Sequence, residues 1–239
     1  KNITHISSLI DPVEDIKIIL TELRLADIEA LQNKSDELQK KIKSGDKKFK
    51  IQLDLINDLH KTLNKDQSLD YLNRSTEQQG VIRDLNLIMN KPMLYIGNVD
   101  EKSVMHGNKY SQLVREKAEG EGCTSVLVSA AMEAQIAELD NESDKLELLS
   151  NFGLKETALK KIINSGYNLL NLITFFTSEP NETRAWTVKK NTSAPKAAGK
   201  IHSDFEKGFI RAETISYKDF IFFKGELNCR EAGKLRQEG

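Results

Sequence analysis

The chain has 239 residues, enough for one large or two modest domains. Charged residues make up 30% and the hydrophobic set 38%, and the net charge is −1, so whole-chain basicity gives no case for nucleic acid. No run approaches the ~18 apolar residues of a membrane span, nothing at Lys1 resembles a signal peptide, and no membrane partner is expected. The two cysteines, Cys123 and Cys229, lie far apart and read as free thiols of a reducing cytosol.

Asp11-Pro12 supplies a capping acid and a proline at the first helical position. A long helix is predicted over 12–44, with Ile16, Ile19, Leu20, Leu23, Ala26, Ala30, Leu31, Leu38 and Ile42 at three- and four-residue steps. Ser44-Gly45-Asp46 stops this helix and caps the next. Phe49, Leu53, Ile56, Leu59 and Leu63 continue a stripe to about Asn64. So short a turn makes the pair an antiparallel hairpin. Its narrow stripe and dense surface charge favour a projecting coiled-coil arm over a buried bundle element.

A helix over 76–90 leads into the apolar run Pro92–Gly97, read as a buried strand. A helix from Tyr110 to Gly120 and a strand over 124–128 follow. Strands separated by helices imply βαβ units and a parallel sheet. Ligands of such sheets bind beyond the carboxyl ends of the strands. Asn98-Val99-Asp100-Glu101 and Ser129-Ala130-Ala131 both occupy such ends, so one geometric rule brings them together. Glu133–Leu149 reads as an acidic amphipathic helix and Glu156–Asn171 as another. Beyond Leu172 come short β-type runs at 174–177, 184–188 and 209–215, split by turn residues. A small separate domain is expected from about Leu169, with a short helix near 193–198 or 216–220.

A phosphate-binding loop is absent. It needs Gly, four residues, then Gly-Lys-Ser/Thr, so that backbone amides wrap the phosphates. The two Gly-Lys pairs, Gly199-Lys200 and Gly233-Lys234, have Ala194 and Asn228 where the first glycine belongs, and Ile201 and Leu235 follow them. The chain alone is therefore expected not to hydrolyse nucleotide, and no residue in it is assigned to catalysis.

Phe175-Phe176-Thr177, Arg184-Ala185-Trp186-Thr187 and the string from Ala194-Pro195 through Ala212-Glu213 resemble the TGS domain of the YchF-type Obg-family ATPase/GTPases, also called Obg-like ATPases. Asp11-Pro12-x-x-Asp15-Ile16 with Thr21-Glu22-Leu23-x-Leu25-x-Asp27 resembles the entry to that family's inserted helical domain. Lys91-Pro92 through Glu101 resembles its base-reading strand and loop. The resemblance covers essentially the whole chain. It implies an α/β fold: part of a P-loop NTPase parallel sheet, an inserted antiparallel helical hairpin (coiled coil), and a C-terminal ubiquitin-like β-grasp (TGS) domain. The implied domains are 1–14 and 76–168 for the nucleotide-binding part, 15–75 for the insertion, and 169–239 for an incomplete TGS domain. The family's P-loop and hydrolytic machinery would lie upstream of Ile3. Magnesium would enter with the nucleotide through that part. The implied complete protein is a cytoplasmic ATPase or GTPase that couples nucleotide state to ribosome or RNA association.

In the usual Asn-Lys-x-Asp loop, the acid accepts from guanine N1–H and N2–H₂ and the lysine stem covers the ring. Here Val99 and Glu101 stand at those positions, and Ser129-Ala130-Ala131 lacks the usual lysine. These changes favour ATP over GTP: adenine has a bare N1 and no 2-amino group, so a carboxylate held opposite that edge would be repelled, but the longer Glu101 could swing clear, and the Asn98 amide can pair with adenine N6 and N7. The bland alternative is that Asn98 braces the turn. Asn-x-x-Glu by itself is a weak signal.

From Thr183 to Ser203 there is no acid, while Arg184, Lys189, Lys190, Lys196 and Lys200 are all basic. These five are candidate RNA or ribosome contacts, against the alternative of a solvated basic face. Trp186 and Phe205 could stack on bases, but a single Trp in a β-type run is expected in the core. His202, Ser203 and Asp204 do not make a relay if they lie on a strand, where neighbours face opposite ways. No set of His, Cys, Asp and Glu has metal-ligand spacing. The rival to an NTPase is a non-enzymatic adaptor, a helical arm plus a β-grasp module that binds protein or RNA.

Overall fold

A computed structural model describes residues 10–42, 47–67, 69, 74–178 and 181–239. Helix α1 (Pro12–Ile42) begins where Asp11 Oδ1 accepts the N–H groups of Val13 and Glu14, each at 3.1 Å. Helix α2 (Lys47–Asn64) runs back along it. The Ser35 hydroxyl donates to Asn57 at 3.3 Å, and Arg24 pairs with Asp66 nearer the root, which fixes the antiparallel sense. The expected stop at Ser44–Asp46 lies outside the described residues.

The hairpin does not bury its stripe only in itself. Leu31 and Leu38 of α1 and Leu55, Ile56, Leu59 and Leu63 of α2 share one core with Ile82 and Leu87. Ile82 belongs to α3 (Thr76–Leu85), which opens on a Ser75–Gln78 capping box. The helix expected over 76–90 ends early because Asn86 turns left-handed at φ 51°, a conformation that Asn tolerates. A 3-10 turn, Ile88–Asn90, follows. Its first two N–H groups, on Ile88 and Met89, go to the Asp27 carboxylate at 2.8 and 2.7 Å. Asp27 is only 3% exposed, so this buried acid pins α1 to the segment that enters the sheet.

Strands β1 (Leu94–Asn98) and β2 (Thr124–Val128) pair in parallel, with Leu94 opposite Thr124 and Asn98 opposite Val128. β1 starts later than the apolar run because Pro92 has no N–H for a ladder. Helix α4 (Lys109–Gly120) makes the crossover. It is entered through Gly107 at φ +78°, where a Cβ would sit 2.6 Å from the Ser111 hydroxyl. Tyr95 of β1 donates to Glu121 at 2.6 Å, and Glu121 also holds Lys117 at 2.7 Å. Burial and this bond to Glu121 push the Tyr95 phenol well above its ordinary range.

The single acidic helix expected over 133–149 is two helices. α5 (Ala130–Ala137) and α6 (Glu142–Asn151) are separated at Asp140-Asn141. Asp and Asn compete for backbone hydrogen bonds and favour turns. The break lets Leu149 of α6 fold onto Met132 and Ile136 of α5, closing a second core with Val104. α7 (Ala158–Leu169) follows, and the chain's two compact units divide inside it, between Ile162 and Ile163.

In the second unit β3 (Leu172–Ser178) and β4 (Thr183–Lys189) form an antiparallel ladder. After it come α8 (Ala194–Ile201), α9 (Ser203–Lys207), β5 (Ala212–Thr214), α10 (Tyr217–Phe223), α11 (Glu226–Glu231) and β6 (Arg236–Glu238), with β6 antiparallel to β5. A short helix is expected in one of two places, and helices form at both, as α8 and α10. The β run expected over 209–215 contracts to the three residues of β5. His202 is not on a strand but joins α8 to α9, where its Nδ1 accepts the Asp204 N–H at 3.2 Å. Trp186 is half-buried rather than in the core. Both cysteines are free, and no helix among the described residues is long and apolar enough to cross a membrane.

Asp27→Ala should leave two backbone donors without their buried partner. We expect a loss of roughly 2–4 kcal/mol in chemical denaturation. A loss under about 0.5 kcal/mol would mean that water replaces the carboxylate without cost.

Candidate nucleotide-base site

The parallel register ends both strands at one level, Asn98 opposite Val128. The two loops therefore leave the sheet side by side. Val99 N–H donates to the Val128 carbonyl at 2.9 Å, extending the ladder by one bond. The Asn98 Oδ1 then accepts the N–H of Ala130 at 3.0 Å. This second bond ties the first loop to the opening turn of α5. Ser129 is the N-cap of α5 and is 1% exposed; its hydroxyl faces the Met132 N–H at 3.5 Å.

Bracing and reading are compatible at Asn98. The side chain is exposed, and no described residue takes its Nδ2 hydrogens. Oδ1 keeps a second lone pair. Ala130 and Ala131 are exposed beside it, so small side chains leave the helix start open.

Val99 packs against the Val104–Met132–Ile136–Leu149 core. With its N–H in the ladder, only its carbonyl remains for a ligand. Asp100, to which the sequence reading assigned no role, holds the turn. It accepts the Ser103 N–H and hydroxyl, both at 3.0 Å. The Ser103 hydroxyl bond, with Ser103 and Lys102 N–H groups adding to it, holds the Asp100 carboxyl below its usual range despite an opposing effect of burial. The stabilisation is therefore full above the ordinary Asp pKa of ~3.9 and is lost as pH falls through the depressed value. Glu101 opens the 3-10 turn Glu101–Ser103, and its Oε1 accepts from Gln135 Nε2 at 3.0 Å. Asp27, Asp100 and Gln135 were legible only in part. Asp27 is an acid four residues from both Leu23 and Leu31 on an apolar stripe, which was the available signal.

The five basic residues do not form one cluster by position. Arg184 and Lys189 are five residues apart on β4, roughly 17 Å at strand rise. Arg184 lies over the Trp186 ring at 4.6 Å, and Trp186 Nε1 donates to Thr177 at 3.0 Å. Lys189 and Lys190 sit at the other end of the strand, at the turn that leads into α8. Lys196 and Lys200 are one turn apart on α8, and all five are exposed. Phe205 is also exposed, with its ring edge-on to His202 at 6.1 Å.

A parallel βαβ unit with two joined carboxyl-end loops, a helical hairpin before it and a small β-containing unit after it define an α/β protein with a parallel sheet, a helical insertion and a C-terminal module. The family model YchF-GTPase_C, described as a protein of unknown function (DUF933), matches residues 172–239. The whole chain aligns with the "Ribosome-binding ATPase YchF" of Escherichia coli O157:H7 at 47% identity over 238 residues, and with that of Bacillus subtilis at 40% over 240. "Obg-like ATPase 1" of Gallus gallus is 37% identical over 244 residues, and the chain covers 61% of that protein. The Schizosaccharomyces pombe YchF GTPase structure superposes on all of this chain with a TM-score of 0.79 and 31% identity, covering 65% of that chain. This chain is a homologue of the YchF-type Obg-family ATPases over its full length, and it spans about 65% of the bacterial relatives.

Asn98→Ala should free the Ala130 amide. We expect its hydrogen exchange to rise about tenfold, as for loss of one hydrogen bond. The Val99 amide, bonded to the Val128 carbonyl, should stay protected; equal acceleration of both would mean that the strand end has frayed instead.

Proposed function

We propose that this chain supplies the base-reading loops, helical hairpin and C-terminal unit of an enzyme that binds and hydrolyses ATP, with GTP as the weaker substrate. The enzyme couples its nucleotide state to ribosome or RNA association in the cytoplasm. The relatives named ribosome-binding ATPases support this reading. The observation that carries it is the Asn98–Ala130 bond, which makes one site of two loops. On this reading residues 15–75 are an insertion and the C-terminal unit is a TGS-type domain.

The chemistry favours adenine. The free Nδ2 of Asn98 can donate to purine N7, and the remaining Oδ1 lone pair can accept adenine N6–H. Guanine presents O6, an acceptor, at that second position, so the Oδ1 contact is lost there and only donation from Nδ2 remains. Among the described residues no group of three or more His, Cys, Asp and Glu converges as a metal site, so no residue of this chain is proposed to ligate magnesium. The ion would come with the nucleotide phosphates.

The C-terminal unit would supply RNA contact through Lys189, Lys190, Lys196 and Lys200, with Arg184 and Trp186 as a stacked platform at the far end of β4. Phosphate contacts release counterions, so affinity falls with salt. Replacing the four lysines with Ala should weaken RNA or ribosome binding. The slope of log affinity against log salt should flatten by up to about 0.7 per lost single-strand contact. Melting should be little changed, because exposed lysines contribute little to stability. A folded variant with unchanged affinity and slope would make these lysines a solvated face.

A further inference from the structure

Glu101 does not meet the candidate base site as a free carboxylate. Gln135 donates its Nε2–H to Glu101 Oε1 at 3.0 Å, and no described residue takes Oε2. Both ends of this contact are anchored. Asp100 fixes the turn that carries Glu101 through its two bonds with Ser103. α5 is held from beneath by Met132 and Ile136, buried in the core that also receives Val99. Its Glu133 carboxylate accepts the N–H groups of Ala158 and Leu159, at 2.7 and 3.2 Å, and so holds the helix to the start of α7. Gln135 thus reaches Glu101 from a fixed helix whose first turn is itself the second base loop.

The consequence is one of carboxylate orientation. A guanine edge offers two donors, N1–H and N2–H₂, and a carboxylate captures both by turning both oxygens to it. The Gln135 bond draws Oε1 toward α5. Guanine can then be gripped by both oxygens only if the carboxylate turns away from α5, which strains or breaks the Gln135 bond. Adenine has a bare N1 and no 2-amino group, so it loses nothing when the carboxylate is held back. We propose that Gln135 is a positioning residue for base specificity, holding Glu101 in the arrangement that disfavours guanine. The inference rests on the reading of Asn98 and Glu101 as base-site residues, and it adds the residue that sets how Glu101 behaves there.

The test measures dissociation constants of fluorescent ATP and GTP analogues on the protein at its full encoded length. Gln135→Leu removes the donor and keeps the bulk. The GTP-to-ATP affinity ratio should rise about three- to tenfold, the range of one competing hydrogen bond in a partly exposed site. Gln135→Lys keeps a donor and should hold the wild-type ratio. Gln135→Glu repels Glu101 from α5 and should raise the ratio as Leu does, which keeps the test open should the Leu variant fold poorly. Equal weakening of both nucleotides by Gln135→Leu, or an unchanged ratio, would overturn the positioning role. Asn98→Ala separates the two levels. If it weakens both nucleotides while the Gln135 variants leave the ratio alone, the base site stands and the Gln135 role falls. If it weakens neither, the base-site reading fails and this inference with it.

Discussion

A buried carboxylate at Asp27 sets the geometry on which the first unit depends. It sits on a helix 31 residues long, yet its partners are two N–H groups more than sixty residues away in sequence. An acid 3% exposed is tolerated because hydrogen bonds from the 3-10 turn meet both oxygens. The same turn leads directly into β1. The hairpin root and the strand that carries Asn98 are therefore set by one contact, with the Leu31–Ile82–Leu87 core packed beside it. Apolar packing alone would allow α1 to slide by a turn along its stripe, but a two-point carboxylate contact fixes the register.

From that fixed strand, parallel pairing does the rest. A parallel ladder brings two carboxyl ends to one level only if the register is right, and Asn98 opposite Val128 is that register. Two hydrogen bonds then pass across the gap, from Val99 N–H to a carbonyl and from Ala130 N–H to a side chain. The first continues the sheet. The second is a departure from it, because Asn98 offers its side-chain oxygen where a further backbone carbonyl would stand. A hydrophobic residue at 98 would leave the α5 start without this tether. The Asn in Asn-x-x-Glu thus has a structural use that does not compete with a binding use, since Oδ1 carries the tether and Nδ2 remains available.

Much of this arrangement was legible in the chain. The three- and four-residue apolar steps gave the hairpin, and short apolar runs between helices gave the parallel unit. That Asn98 and Ser129 sit together at the strand ends followed from the rule for ligand sites of such sheets. What was not legible depended on tertiary partners. Asn86 is an ordinary polar residue in a helical pattern until its left-handed φ is known. The break at Asp140-Asn141 is disguised by the acidic residues on both sides, and it is the chance to place Leu149 on Met132 that decides it. Trp186 lies half-buried because Arg184 covers its face and Thr177 satisfies its indole N–H, which are contacts across and along a ladder. His202 belongs to a helix junction because Ala194–Ile201 uses its proline as a helix start and Ser203–Lys207 follows at once.

On the proposed reading, Val99 shows how a base loop could dispense with the lysine that usually covers the ring. A lysine stem at this position would have to leave the apolar core or carry its ammonium past it into water. Valine instead completes that core, packing with Val104, Met132, Ile136 and Leu149. The loop is then held to α5 by dispersion and burial rather than by the ligand. Val99 is only partly buried, so its contribution lies below the ~1.5–3 kcal/mol of a fully buried side chain, but it is present with or without a nucleotide. The exchange has a chemical consequence. A loop closed over its base by lysine gains order when it binds, whereas a loop anchored by Val99 and Asp100 is ordered beforehand and loses less entropy on binding. On the proposed reading, discrimination between bases would then rest on the Asn98 amide and on the Glu101 carboxylate held by Gln135.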